Sequence, residues 1–130
     1  MVAEDPPLVA PKPFCFVAPT TGKAPLAVKA TAGLNRGNPP LLGPTAYGYD
    51  FNFNKNPVMK KAAGIDKTSA YNTYSTAGVY DVYCQIIVNG QAVKVDGSLT
   101  GSLDDPSAWI RGGAVKVSPP GGTKGGEVAP

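Results

Sequence analysis

The sequence predicts an all-β fold, built as a two-sheet antiparallel β-sandwich. Three observations carry that expectation. Glycine (16) and proline (14) are both abundant, which disfavours long helices. Apolar residues alternate with small or polar ones in several short runs, the period of a half-buried strand. The runs recur at short spacing with turn residues between them, so each sheet must hide an apolar face on a second sheet. At 130 residues the chain suits one domain, and an apolar fraction of 42% with six tyrosines supplies a core. Pro and Gly crowd both ends. Residues 1–13 and 119–130 therefore read as flexible linkers around a sandwich over 14–118.

In chain order, "FCFV" (14–17) is a short apolar strand followed by the turn-rich "APTTGKAP". "LAVKATA" (26–32) sets Leu26, Val28 and Ala30 on one face and Ala27, Lys29 and Thr31 on the other. "GLNRGNPPLLGP" (33–44) reads as a loop. "TAYGYDF" (45–51) aligns Tyr47, Tyr49 and Phe51. In the long connection that follows, "VMKKAAG" is expected to form one or two helical turns. "TSAYNTY" (68–74) is the next strand. "GVYDVYCQIIV" (78–88) puts Tyr80, Val82, Cys84, Ile86 and Val88 on one face, with Val79, Asp81, Tyr83, Gln85 and Ile87 opposite. Asn89-Gly90 tolerates the positive φ of a type I′ hairpin turn, which makes "QAVKV" (91–95) the returning strand. "AWIRGGAVKV" (108–117) offers one more, and either 91–95 or 113–117 closes the fold.

Three blocks carry a family likeness. "TGKAPLAVKATA" resembles the G-x-x-P-L-x-V opening of PKD (polycystic kidney disease) domains, an immunoglobulin-like sandwich family, through Pro25 and Leu26. "AYGYDFNFN" is similar to their Y-x-W-D-F-G-D-G strand: Tyr49 takes the place of Trp, Asp50 and Phe51 are kept, and Asn52-Phe53-Asn54 replaces the Gly-Asp-Gly turn. "YNTYSTAGVYDVYCQIIV" resembles H-x-Y-x-x-x-G-x-Y-x-V-x-L-x-V, with Tyr74, Gly78, Tyr80 and Val82 correctly spaced. Here Asn72 stands where His is common, and Cys84 occupies an inward apolar position. The likeness covers residues 14–95 and implies an extracellular, modular, non-catalytic role in adhesion, spacing or polymer binding. It supplies no set of ligand residues.

Cys84 faces inward on the strand placed at the centre of one sheet, and Cys15 lies on the first strand, which can pair into the other. A bridge across their separation of 69 residues would pin the sheets together and stabilise by about 4 kcal/mol on chain-entropy reasoning. The alternative is two buried thiols acting as small hydrophobes. Reactive thiol chemistry has no support, because the chain lacks a CxxC pair and any histidine. A bridge would imply an oxidising compartment.

Zero histidines also removes the commonest general base and zinc ligand. Asp104-Asp105 are adjacent and point apart, unlike the flanking carboxylates of a glycosidase. Calcium could use Asp50, Asp96, Asp104 or Asp105, but no EF-hand spacing exists. "GGTKGG" lacks the Ser/Thr and helix of a phosphate loop. An internal amide between Lys29 and Asp50 or Asp81 is disfavoured because Lys29 is expected to face outward. The expectation is no enzyme, no metal and no cofactor. A net charge of +3 with two arginines, Arg36 and Arg111, gives no nucleic-acid signature; Lys55, Lys60, Lys61 and Lys67 read as a solvated loop. No run of 18 apolar residues exists to insert in a membrane.

The start "MVAEDPPLVAPKPF" lacks the basic lead and apolar core of a signal peptide, and both ends read as inter-domain linker. The expectation is therefore a module of a larger exported microbial protein, extracellular or at the cell surface. Its partners would be neighbouring domains or other proteins, or a polysaccharide. The outward stripe of Tyr83 and Ile87, with the single tryptophan Trp109, is the candidate interaction surface. The plainer reading is that the returning strand, or the segment at Trp109 and Ile110, packs over that stripe. Tyr80 is expected to be a corner tyrosine bonding to backbone. Two alternatives stand beside adhesion or spacing: a virion decoration or tail-associated domain, and a carbohydrate-binding accessory domain using Trp109.

Overall fold

A computed structural model describes residues 8–53, 55, 59–65 and 67–120, with residues 61–63 as backbone alone. Among the described residues the regular elements are strands and one 3-10 turn, with no α-helix. The strands are β1 (Lys12–Ala18), β2 (Thr21–Lys23), β3 (Leu26–Asn35), β4 (Thr45–Asp50) and β5 (Lys60–Ile65). They continue with β6 (Ser69–Tyr74), β7 (Gly78–Val88), β8 (Gln91–Val93), β9 (Leu99–Thr100) and β10 (Ile110–Ser118). Two sheets form. The smaller has the order β1-β3-β6; the larger runs β2-β10-β7-β4-β5, with β8 on the end of β7 and β9 beside β8. Only the β2–β10 pair is parallel among these ladders.

The expected alternation sets the core. Val28 and Ala30 of β3 face Tyr49 of β4 and Val82, Cys84, Ile86 and Val88 of β7, all buried between the sheets. Lys29 lies on the exposed side of β3, as expected. Asn89 and Gly90 turn the β7–β8 hairpin with φ of 52° and 79°, the left-handed values that Asn and Gly accept most readily.

Cys15 and Cys84 form a disulfide with their Cα atoms 5.6 Å apart, within the range such a bond spans. It ties β1 of the smaller sheet to β7 of the larger. Three tyrosines fasten loops to this core. Tyr74 Oη donates to the Phe51 carbonyl at 2.6 Å, and Tyr80 Oη donates to the Thr76 carbonyl at 2.6 Å. Their rings stack with centroids 4.1 Å apart. Tyr49 Oη donates to the Lys67 carbonyl at 2.8 Å.

The strands differ from the sequence reading at several points: β2 lies inside the segment expected as a turn, β9 in a stretch assigned no strand, and other elements shift as follows. Lys60–Ile65, expected as helical turns, is strand β5, paired antiparallel to β4 from Asp50↔Lys60 to Ala46↔Ile65. The good helix propensity of Lys-Lys-Ala-Ala yields to the backbone ladder on β4, which shifts register between Tyr47 and Gly48. Val58 lies outside the described residues. Strand β3 continues through Gly33 to Asn35, because Phe14, opposite Gly33, lays its ring over the missing side chain. The first strand begins at Lys12, ahead of the expected Phe14. Of 91–95 only Gln91–Val93 is strand, and the long partner of β7 is β10, from Ile110↔Cys84 to Val117↔Gly78. The tails at 1–7 and 121–130, Asn54 of the second block and Lys124 of "GGTKGG" fall outside the described residues.

Candidate functional site

The outer face of the larger sheet is partly roofed by the chain between β9 and β10. The roof is set by local hydrogen bonding. Asp105 Oδ1 accepts from the Ser107 backbone N–H at 2.9 Å and from its hydroxyl at 2.7 Å, capping the 3-10 turn Pro106–Ala108. Both bonds favour the charged carboxylate, so Asp105 titrates below its ordinary value. The turn delivers Trp109 onto β4 and β7. Trp109 Nε1 donates to the Leu103 carbonyl at 3.1 Å, and Gln85 Nε2 donates to the same oxygen at 2.6 Å. One carbonyl thus takes a donor from within the roof, Trp109, and one from the sheet, Gln85, which ties the two together.

An aromatic layer follows. Tyr83 stacks on Phe53 at 4.0 Å, and Phe53 meets Trp109 at 5.8 Å in a tilted pair. Lys60 Nζ sits 5.7 Å from the centre of the Trp109 ring. Trp109 is consequently only 7% exposed. Ile87 and Tyr83 are half-buried, while Val79 stays in solvent.

Between roof and sheet lies a groove of about 350 Å³. Ala46 and Gly48 of β4 form its floor, Ile87, Leu103 and Trp109 its walls, and Lys60 and Asp104 its rim. A second hollow of about 250 Å³ shares Lys60, Asp104 and Trp109 and is bounded by Phe53 and Asp50. Gln85 lines the first groove although it is only 4% exposed. Its amide nitrogen is engaged by Leu103, whereas its Oε1 receives no hydrogen bond among the described residues. That oxygen lies over the floor, 3.7 Å from where a methyl on Gly48 would stand. The groove therefore offers an apolar body, one solvent-accessible acceptor on a largely buried side chain, and a cation and an anion at its mouth.

The structure brings the three expected surface residues to one face. Ile87 and Trp109 line the groove, and Tyr83 supports it from beneath Phe53. The open stripe of the sequence reading is instead a roofed recess. The motif residues Tyr49, Asp50, Phe51, Tyr74, Tyr80 and Val82 are buried, and Leu26 is partly buried against the same core. Pro25 is exposed beside Leu26, and Gly78 opens β7. Asp50 accepts from the Asn52 N–H at 3.0 Å, an Asx turn ending β4. The lysines of 55–67 disperse. Lys55 pairs with Asp81 at 3.5 Å, Lys60 covers Trp109 and Lys67 is exposed; the Lys61 side chain lies outside the described residues. Among the described residues no cluster of three His, Cys, Asp or Glu could hold a metal ion, and no helix is long and apolar enough to cross a membrane.

Sequence reasoning missed Gly48, Gln85, Lys60 and Asp104. One signal was present: Gln85 is a lone amide inside the apolar run "CQIIV", where it must find partners or a ligand. No protein-family model, curated protein or solved structure matches this chain.

Proposed function

We propose that this chain is a non-catalytic interaction module, an immunoglobulin-like sandwich of PKD type serving adhesion or spacing in an extracellular or cell-surface protein. The topology supports the family reading. β1, β3 and β6 face β10, β7, β4 and β5, while β2 crosses to pair in parallel with β10. Tyr80, bonded to a carbonyl four residues upstream at the start of β7, resembles the corner tyrosine of such domains. The Cys15–Cys84 bond favours an oxidising compartment.

The observation that carries the binding role is the groove with the unclaimed acceptor of Gln85 at its floor. A packing defect would be apolar or filled, whereas this recess holds a directed polar group and a charged rim. Trp109, covered by Lys60 and backed by Phe53, forms a wall for a ligand's edge and leaves little ring face for flat stacking.

Gly48→Val tests the reading. A Cβ at Gly48 meets only ordinary contacts of 3.7–3.9 Å, so the substitution fills the floor without disturbing the core. The wild-type chain and the variant are passed over an array of extracellular proteins and polysaccharides. Retention of the wild type on at least one surface, lost in a variant of unchanged Tm, supports the module. Equal retention of both on every surface, retention on none, or turnover of an arrayed polymer contradicts it.

A further inference from the structure

We propose that the outer face of the smaller sheet is a second binding surface whose ligand is an acidic polysaccharide. This goes beyond the groove at Trp109 and uses none of its residues. Alternation along β1, β3 and β6 turns Cys15, Val17, Val28 and Ala30 inward and leaves Phe14, Phe16, Lys29 and Tyr71 outward. Phe16 is 61% and Tyr71 62% exposed, although large aromatics on a sheet face are ordinarily covered.

The placement is ordered. Phe16 lies opposite Thr31, which lies opposite Ser69; in the neighbouring row Ala18, Lys29 and Tyr71 align. The rings therefore run diagonally from β1 to β6 across Thr31 and Lys29 of β3, on strands about 4.8 Å apart. Phe14 and Phe16 have ring centres 5.4 Å apart, beside a hollow of about 340 Å³ between Lys12, Phe16 and Asn35. Lys29 Nζ stands 5.8 Å from the Tyr71 ring centre. Of the described carboxylates, none belongs to these three strands: Asp50 and Asp81 are on or beside β4 and β7, and Asp96, Asp104 and Asp105 follow β8.

Exposed rings with two ammonium groups, and no carboxylate on these strands among the described residues, select a ligand with apolar ring faces and negative charge. The open, flat form of the face suits a linear chain. A uronate polymer meets both terms, since sugar C–H faces stack on aromatic rings and carboxylates pair with lysine. A protein partner fits less well, because lysine is depleted at interface centres and Lys29 sits among the rings. A second copy, docked face to face, would set Lys12 and Lys29 against their own like charges. A single-stranded nucleic acid carries a phosphate on every unit, and two lysines are a sparse match for that density.

Affinity electrophoresis of the full chain in gels containing polygalacturonate, alginate or dextran tests the proposal, with a dT oligonucleotide measured in parallel. Retardation by the two uronate polymers but not dextran is expected, weakening as NaCl rises from about 50 to 500 mM. The exposed double variant Phe16→Ala/Tyr71→Ala and the single variant Lys29→Glu should each lose at least tenfold in affinity with Tm retained. Gly48→Val should bind these polymers like the wild type, which separates this face from the groove. No retardation by either uronate polymer, equal retardation by dextran, tighter binding of the oligonucleotide, or variants that bind as the wild type would overturn it.

Discussion

Gly112 stands against the bridge: a methyl group there would lie 2.8 Å from Cys15 Sγ and 3.2 Å from the Val82 carbonyl oxygen. The β10–β7 register shifts between Arg111 and Gly113, so this bulge passes bare backbone over the sulfur. Gly112→Ala should therefore cost about 1–3 kcal/mol through overpacking, read by urea denaturation. Combined with Cys15→Ala and Cys84→Ala, the same change should cost measurably less, because the clashing sulfur is gone. Strict additivity would place the strain elsewhere.

The two stacked tyrosines should differ on losing their hydroxyls. Tyr74 is fully buried in the core and donates to the Phe51 carbonyl there, whereas Tyr80 is slightly more exposed and donates to the Thr76 carbonyl. Tyr74→Phe should destabilise by about 1–3 kcal/mol and Tyr80→Phe by about 0.5–1.5 kcal/mol. A reversed order would contradict the assignment of Tyr74 as the deeper fastening.

Alkaline pH should unfold the domain through its buried phenols. Burial pushes Tyr49 up to about 12, with Tyr47 adding to it, and raises Tyr74 as well, with Tyr80 adding. Both groups keep their protons in the folded chain at pH values where the unfolded chain, near 10.0, has lost them. Their contribution is complete below pH 10 and drains away above it, at about 1.4 kcal/mol per pH unit for each. Urea midpoints should fall steadily from pH 10 to 11.5, and Tyr49→Phe should flatten that slope. A midpoint independent of pH in this range would be the contrary result.

Trp109 should report a buried indole despite its place outside the inter-sheet core. Acrylamide should quench its fluorescence weakly in the native chain and strongly in urea. Trp109→Ala should cost about 3 kcal/mol, the low end for a buried aromatic, since the roof can partly collapse. Strong native quenching would mean that the roof stands open.

Much of the sandwich was legible because local period and burial agree. Leu26 to Thr31, Thr45 to Tyr49 and Tyr80 to Cys84 alternate as written, while Asp50 and Gln85 break the pattern by burial, and Asn89-Gly90 turns where its chemistry allows. Lys60–Ile65 was misread because its strand state depends on β4, a partner that local propensity does not contain. Gly33 reads as a breaker until Phe14 is seen across from it. The sites were harder. Gln85 and Gly48 become a floor only once the distant Leu103–Trp109 segment folds over them. Phe16 was hidden inside "FCFV", where large apolar residues on both faces mask the alternation that turns it to solvent.

The sulfur link between the two sheets holds the sandwich on which both proposed binding faces stand, and it carries the proposed oxidising compartment. The direct measurement is the intact mass of the purified chain, denatured without reductant in excess iodoacetamide. The monomer should carry no alkyl group and weigh two hydrogens less than its reduced form, with Cys15 and Cys84 peptides joined on digestion. Two alkylated cysteines on a natively folded chain would contradict it.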